Sequence, residues 1–151
     1  MGTLKNLVEI LEKEKWVAFF LLFWAGSFFF WALQSIAANG FEVNVASDLF
    51  YVLTDLFNLA AGIVLGLFSL KLLKSDLMGG LSKERMLVFF ILLWAGAFFF
   101  SGIGDILYYG QYAARYFDDA LGVLGGLAEL AAGLALGPLG LKLFASKDPS
   151  S

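Results

Sequence analysis

Four long apolar stretches dominate this chain and set the strongest limit on what it can fold into. They cover residues 16–38, 49–73, 86–109 and 120–144, and the links between them are short and polar. An α-helix needs about 20 mostly apolar residues to cross the hydrocarbon core of a bilayer. We therefore predict an all-α integral membrane protein with four transmembrane helices.

The overall composition agrees with this prediction. Hydrophobic residues make up 60% of the 151 residues and charged residues 15%, whereas soluble domains average about 45–50% and about 25%. A soluble domain of this length could not bury so much apolar surface. Lipid removes the difficulty, because the outer faces of the helices then need no cover.

Basic residues are placed unevenly along the chain. Arg115 lies between the third and fourth stretches, and the other basic residues all lie on the opposite side of the predicted membrane. Those are Lys5, Lys13, Lys15, Lys71, Lys74, Lys83, Arg85, Lys142 and Lys147. Short cytoplasmic segments carry the excess of Lys and Arg. We predict a multi-pass protein of the cell membrane with both termini in the cytoplasm.

Two pairs of segments repeat along the chain. Residues 20–30 read FLLFWAGSFFF and residues 90–100 read FILLWAGAFFF, at an offset of 70. Residues 59–73 read LAAGIVLGLFSLKLL and residues 130–144 read LAAGLALGPLGLKLF, at an offset of 71. The chain is therefore predicted to be two tandem helical-hairpin repeats in parallel orientation (2+2). We expect a pseudo-twofold axis along the membrane normal to relate them.

The repeat sets the predicted organisation of the chain. The two hairpins cover residues 16–75 and 86–145, with a cytoplasmic linker at 76–85 and a cytoplasmic tail at 146–151. Residues 1–15 carry apolar side chains at helical spacing among charged ones. This pattern is typical of an amphipathic helix on the cytoplasmic membrane surface, and a straight extension of the first span fits it equally well.

Repeated glycines indicate where helices pack closely. Gly62 and Gly66 in the second span recur as Gly133 and Gly137 in the fourth. Both are small-xxx-small pairs, which let two backbones approach. We therefore expect the second and fourth spans at the centre of a four-helix bundle.

Four polar side chains lie inside the predicted spans. They are Asp55 and Asn58 in the second, Asp105 in the third and Glu129 in the fourth. Asn58 and Glu129 occupy the same position in the two repeats, so the pseudo-twofold axis would bring them to matching sites that face each other. Asp105 is nearer the outer surface, which favours a solvated rim group. No Lys or Arg within the spans can neutralise these carboxyls.

Three outcomes remain for carboxyls in hydrocarbon. Desolvation can keep them protonated at neutral pH, with Glu129 tied to Asn58 as a purely structural contact. They can hold a cation, since hard oxygen ligands suit Na⁺, Ca²⁺ or Mg²⁺. They can also line a water-filled vestibule that admits a cationic solute.

These outcomes lead to two main hypotheses of function. The first is a small transporter or channel for protons, sodium ions or a cationic solute, working as a homo-oligomer, with Glu129, Asp55, Asn58 and Asp105 as binding residues. The second is a non-transporting subunit or anchor that assembles into an oligomer or a larger membrane complex. A lipid-binding protein is a weaker third.

An enzyme is the least favoured class. The chain has no Cys and no His, which excludes a Ser–His–Asp triad and the usual zinc and haem ligands. We expect no cofactor, and no basic patch indicates nucleic acid. The identity of any bound metal stays open.

The predicted orientation can be tested with single cysteines, because the chain has none of its own. A membrane-impermeant maleimide applied to spheroplasts should label Asn44→Cys, on the predicted outer side. It should label Ser75→Cys and Ser151→Cys only after the membrane is permeabilised. The opposite labelling pattern would reverse the predicted orientation.

Overall fold

The chain folds into α-helices in a computed structural model that describes residues 2–13, 15–39, 43–73, 82–111 and 117–145. Within these residues there is no β-strand. The five helices are α1 (Gly2–Lys13), α2 (Lys15–Asn39), α3 (Ala46–Leu73), α4 (Lys83–Gly110) and α5 (Phe117–Ala145). Helices α2 to α5 are long and apolar enough to cross a membrane, which confirms the four predicted apolar helices.

Some features used in the sequence analysis lie outside the described residues. These are most of the linker at 76–85, the whole tail at 146–151, and the two basic residues Lys74 and Arg115. The predicted orientation and the predicted cell-membrane location therefore stay predictions.

Local hydrogen bonds define the start of two helices. Ser82 caps α4, where its hydroxyl accepts from the backbone N–H of Arg85 at 3.3 Å. Before α3, the Asp48 carboxylate accepts from the backbone N–H groups of Asn44 and Val45 at 2.9 and 3.0 Å. Both contacts satisfy backbone donors that have no partner within a helix.

The four long helices form an open row rather than a closed bundle. Each packs against the next in chain order, and within the described residues α5 contacts only α4. A twofold axis that set α3 against α4 would also set α5 against α2, yet no α-carbon of α2 lies within 8 Å of one in α5. The predicted pseudo-twofold axis is therefore wrong, and the tandem repeat itself stays a prediction.

The centre of the row also differs from the prediction. Helix α3 is the most enclosed, with Leu65, Phe68 and Ser69 fully buried, and α4 lies beside it. Helix α5 is at the end of the row and buries only Gly126, Gly133 and Gly140. The prediction that the fourth span lies at the centre is wrong, because the buried glycines of α5 pack against one neighbouring helix, α4.

Glycines bring the backbones together in both hairpins. A β-carbon on Gly62 of α3 would lie 3.0 Å from the Ala25 oxygen and 3.0 Å from the Phe29 nitrogen of α2. One on Gly133 of α5 would lie 2.8 Å from the Ala95 oxygen and 2.7 Å from the Phe99 nitrogen of α4. Side chains are excluded at these two points, so main chain packs on main chain.

Aromatic side chains bridge α2 and α4, whose backbones do not approach. The rings of Trp24 and Trp94 meet edge to face, with centroids 5.3 Å apart. Phe28 and Phe90 add a second edge-on pair at 6.3 Å. Such geometry suits the ring quadrupoles. Large rings thus fill the gap on one side of α3.

Helix α1 packs across the ends of three of the long helices. It contacts α2, α3 and α4, and Val8 is buried there. The Lys83 ammonium of α4 forms an ion pair with the Glu12 carboxylate at 2.5 Å. These contacts favour a helix that lies across the ends of the long helices, and they disfavour a straight extension of α2.

The glycine contacts predict a graded loss of stability. Gly133→Ala should lower the free energy of unfolding by roughly 1–3 kcal/mol, since overpacking against backbone cannot be relieved by a side-chain rotation. Gly62→Ala should cost less, because its β-carbon meets the neighbouring backbone at 3.0 Å. Denaturant unfolding in detergent micelles measures both.

Gly137 supplies a matched control on the same helix as Gly133. A β-carbon there would meet no heavy atom within 4 Å, so Gly137→Ala should leave stability unchanged or slightly raised. Equal losses at Gly133 and Gly137 would contradict the close contact of α4 with α5.

Candidate functional site

Asp55 is held at the seam between α2 and α3. It lies on α3, its side chain is only 7% exposed, and its Oδ2 accepts a hydrogen bond from the Ser35 hydroxyl of α2 at 2.5 Å. A hydrogen bond to a carboxyl is stronger than one between neutral groups when the acid is ionised. Asp55 therefore has a partner and ties two helices together.

Asp105 is held at the next seam, between α3 and α4. Its Oδ1 accepts from the Tyr51 hydroxyl of α3 at 2.8 Å. Its β-carbon also adjoins α5, because a β-carbon on Gly126 would lie 2.8 Å from it. Asp105 is thus half-buried where three helices meet, and its role as a solvated rim group stays a prediction.

The two hydrogen-bonded pairs are linked through α3. Tyr51 and Asp55 are four residues apart on that helix, a spacing that places them on the same face. Thr54 lies between them and donates its hydroxyl to the Phe50 carbonyl at 2.8 Å. The polar groups from Ser35 on α2 to Asp105 on α4 therefore form one band across three helices.

Glu129 differs from both aspartates. It lies on α5, and its Oε2 is buried with no hydrogen-bond partner among the residues that the structure describes. Gly126, one turn before Glu129 on α5, packs against Asp105. Glu129 therefore lies about one helical turn from the polar band, ~4.5 Å along the axis of α5. A buried polar atom without a partner is costly. The Glu129 carboxyl therefore lacks the compensation that Asp55 and Asp105 receive.

Asn58 does not face Glu129. Its side chain is buried on α3 at 7% exposure, and no α-carbon of α3 lies within 8 Å of one in the described part of α5. The expectation that the two matching positions face each other was wrong, because it rested on the twofold axis. The four candidate residues are instead spread along the row from α3 to α5.

The acidic residues do not form a ready metal cage. Among the described residues, no group of three or more acidic side chains is placed to hold one metal ion. Four acidic residues lie outside that part of the chain: Glu14, Glu42, Asp76 and Asp148.

Ser35 and Tyr51 were visible in the sequence, but their roles were not. Ser35 follows Gln34 near the end of the first span, and Tyr51 precedes Asp55 by one turn on α3. Helical periodicity assigns each residue to a face of its own helix. It gives no axial register between two helices, and that register decides which hydroxyl reaches which carboxyl.

Comparison with known proteins identifies no relative: no family model, no curated protein and no solved structure matches this chain.

The Tyr51–Asp105 contact should show energetic coupling in a double-mutant cycle. Tyr51→Phe and Asp105→Ala should each destabilise the protein, with a coupling energy of about 0.6–2 kcal/mol, the range of hydrogen bonds between membrane helices. Unfolding of the two single variants and the double variant in detergent gives this value.

Ser69 provides the control pair for that cycle. Its hydroxyl donates to the Leu65 carbonyl on the same helix at 2.7 Å, many residues from Tyr51. Tyr51→Phe and Ser69→Ala should be additive within about 0.5 kcal/mol. Additivity of Tyr51→Phe with Asp105→Ala would show that the hydrogen bond contributes nothing to stability.

Proposed function

We propose that this chain is an integral membrane protein that crosses the cell membrane four times with both termini in the cytoplasm. Four helices of suitable length and hydropathy support this, as do the many large apolar side chains on their outer surface. Phe23, Phe30 and Leu124 are examples, at 78%, 70% and 60% exposure. A surface of this kind is unfavourable in water and is the normal surface of a protein in lipid.

We also propose that the chain arose by duplication of one helical hairpin. Gly62 and Gly133 are 71 residues apart, and the residues that they touch, Ala25 with Phe29 and Ala95 with Phe99, are 70 residues apart. These are the offsets of the two repeated segments. The same backbone contact at the same offsets supports two copies of one unit.

We propose that the protein moves a cation, with Glu129 as the exchangeable binding group. The observation that carries this proposal is the buried Glu129 Oε2 without a hydrogen-bond partner. Uncompensated acids within membrane spans are rare and mark ion or proton pathways. A proton is the cation that one carboxylate can hold without further ligands, so it is the first candidate. Sodium ions and organic cations come next.

Asp55 and Asp105 have different roles in this proposal. Each accepts a hydrogen bond from a hydroxyl on a neighbouring helix, so their first role is to hold α2, α3 and α4 in register. Asp105 lies where α3, α4 and α5 meet, and it is the carboxyl nearest along the polar band to Glu129. A cation entering from the outer side would therefore pass Asp105 before it reaches Glu129.

The second candidate function is a membrane subunit without transport. It is favoured by open small positions on the outer helices: a β-carbon on Gly26 of α2 or Gly125 of α5 would meet no heavy atom within 4 Å, so a helix of a partner protein could approach closely there. The two functions differ in whether flux depends on the carboxyl.

Proteoliposome flux separates the two candidates. Purified protein should carry protons, measured with an entrapped pH-sensitive dye under a potassium–valinomycin potential, and parallel assays should use radioactive sodium and ethidium. Glu129→Gln keeps the shape of the side chain and removes the exchangeable charge. We expect it to lower the carried flux at least tenfold.

Matched variants complete the experiment. Asp55→Asn keeps an acceptor for Ser35 and should retain more than half of the flux. Glu129→Asp, which restores a carboxyl, should recover part of the loss. If Glu129→Gln carries the same ions at the same rate and pH dependence as the parent, the transport proposal is wrong and the subunit reading stands.

A further inference from the structure

The contact between α3 and α4 joins the two proposed repeats, and we call it the inner joint. Gly96 of α4 lies directly under Phe57 of α3, because a β-carbon on Gly96 would overlap the Phe57 ring. The Phe100 ring of α4 packs against Phe57 at 5.2 Å between centroids. Gly104 of α4 lies close to Tyr51, whose ring would be 3.0 Å from an added β-carbon. Large side chains of α3 thus fill small positions of α4.

The positions equivalent to the α4 side of the inner joint lie open on α2. Gly26 is 70 residues before Gly96, and a β-carbon on it would meet no heavy atom within 4 Å. Phe30, the equivalent of Phe100, is 70% exposed. Gln34, the equivalent of Gly104, is exposed as well.

The positions equivalent to the α3 side lie open on α5. Leu121, 71 residues after Phe50, is 51% exposed, and Ala128, the equivalent of Phe57, is exposed. Gly125 corresponds to Thr54, which is buried on α3. A β-carbon on Gly125 would meet nothing within 4 Å. Each half of the inner joint therefore has an uncovered counterpart at one end of the row.

We propose that a second copy of this chain docks its α2 on α5, in an outer joint that repeats the geometry of the inner joint. The proposal rests on the duplication proposed above, because the equivalence of positions comes from it. The open face of α2 carries the positions equivalent to the α4 side of the inner joint, and the open face of α5 carries those equivalent to the α3 side, so each face is the equivalent of the other's partner. The occupant is thus a second copy of the chain.

At the outer joint, the α5 side carries smaller residues than the α3 side of the inner joint, and the bulk comes from the α2 side. In the inner joint Phe57 covers Gly96, and in the outer joint Ala128 would meet Gly26, two small residues that allow close backbone approach. The exposed Phe30 ring supplies the bulk that Ala128 lacks, as Phe100 packs beside Phe57 within the chain. Gly104 lies against Phe50 as well as Tyr51, so its equivalent Gln34 would lie opposite the exposed Leu121. Gly122, the equivalent of Tyr51, is already covered by the Tyr109 ring of α4.

The outer joint joins two different surfaces, so it is heterologous. Each chain offers one α2 face and one α5 face, and successive copies continue the row until it closes into a ring. Glu129 comes three residues after Gly126 and four before Gly133, and both glycines pack on α4 of the same chain. Its side chain therefore lies on the α4 side of α5, and the outer joint uses the opposite side of that helix.

Disulfide cross-linking tests the outer joint, because the chain has no cysteine of its own. Gly26→Cys and Ala128→Cys, made as separate single variants and mixed in lipid vesicles before oxidation, should give a dimer only in the mixture. The double variant should give a ladder of oligomers. The inner pair Phe57→Cys with Gly96→Cys, which should cross-link within one chain, establishes that oxidation reaches this depth.

Each result decides the proposal. Dimers from one single variant alone would indicate a symmetric contact and overturn it. Absence of intermolecular product, with the inner pair oxidised, would show that lipid covers both faces and would also overturn it. Gly26→Phe should abolish the mixed dimer, formed with a cysteine at Ser27, without loss of stability. Gly110→Phe, at another glycine with nothing within 4 Å of its added β-carbon, should leave that dimer intact.

The outcome is separate from the proposed transport. Loss of the cross-link together with Glu129-dependent flux would reject the outer joint and keep the transporter. A clear cross-link with flux that ignores Glu129→Gln would keep the joint and reject the transporter.

Discussion

Backbone contacts at Gly62 in the first hairpin, and at Gly102 and Gly133 in the second, set the geometry of the whole row. At each, the main chain of one helix lies directly on the main chain of the next, with no room for a side chain. Helices in lipid gain little from burying apolar surface against each other, so close packing and hydrogen bonds have to hold them together. With the hairpins fixed at these points, α3 and α4 can place Tyr51 beside Asp105. The polar band follows from the backbone contacts.

The number and type of helices could be predicted from sequence, because long apolar stretches have few alternatives. Their arrangement could not. Gly133 was correctly identified as a point of close approach, but a glycine face does not say which neighbour it meets or whether it meets one or two. It is used against α4 alone, which leaves α5 at the end of the row. The twofold axis failed for a related reason: similar copies can be joined head to tail without closing on each other.

The candidate residues were identified by type and depth, and their partners depended on register. Asp55 and Asp105 stood out as acids without basic neighbours, yet each is matched by a hydroxyl, from Ser35 and Tyr51. Ser35 and Asp105 occupy the same position of the two proposed repeats, and so do Asp55 and Gly126. Under the proposed duplication, the aspartate therefore lies on α3 in the first copy and on α4 in the second, and a small residue lies opposite it each time. That exchange leaves Glu129 as the carboxyl whose oxygen is buried and unmatched.

The placement of α1 has a consequence for how the chain assembles. Its partners include α3 and α4, and its ion pair runs from Glu12 to Lys83. During synthesis α1 is made before α2, α3 and α4, so its binding surface is complete only after the start of the second hairpin has emerged. Until then α1 has to wait undocked. Its docking needs the start of α4 but not α5, so α1 can settle before the second hairpin is complete.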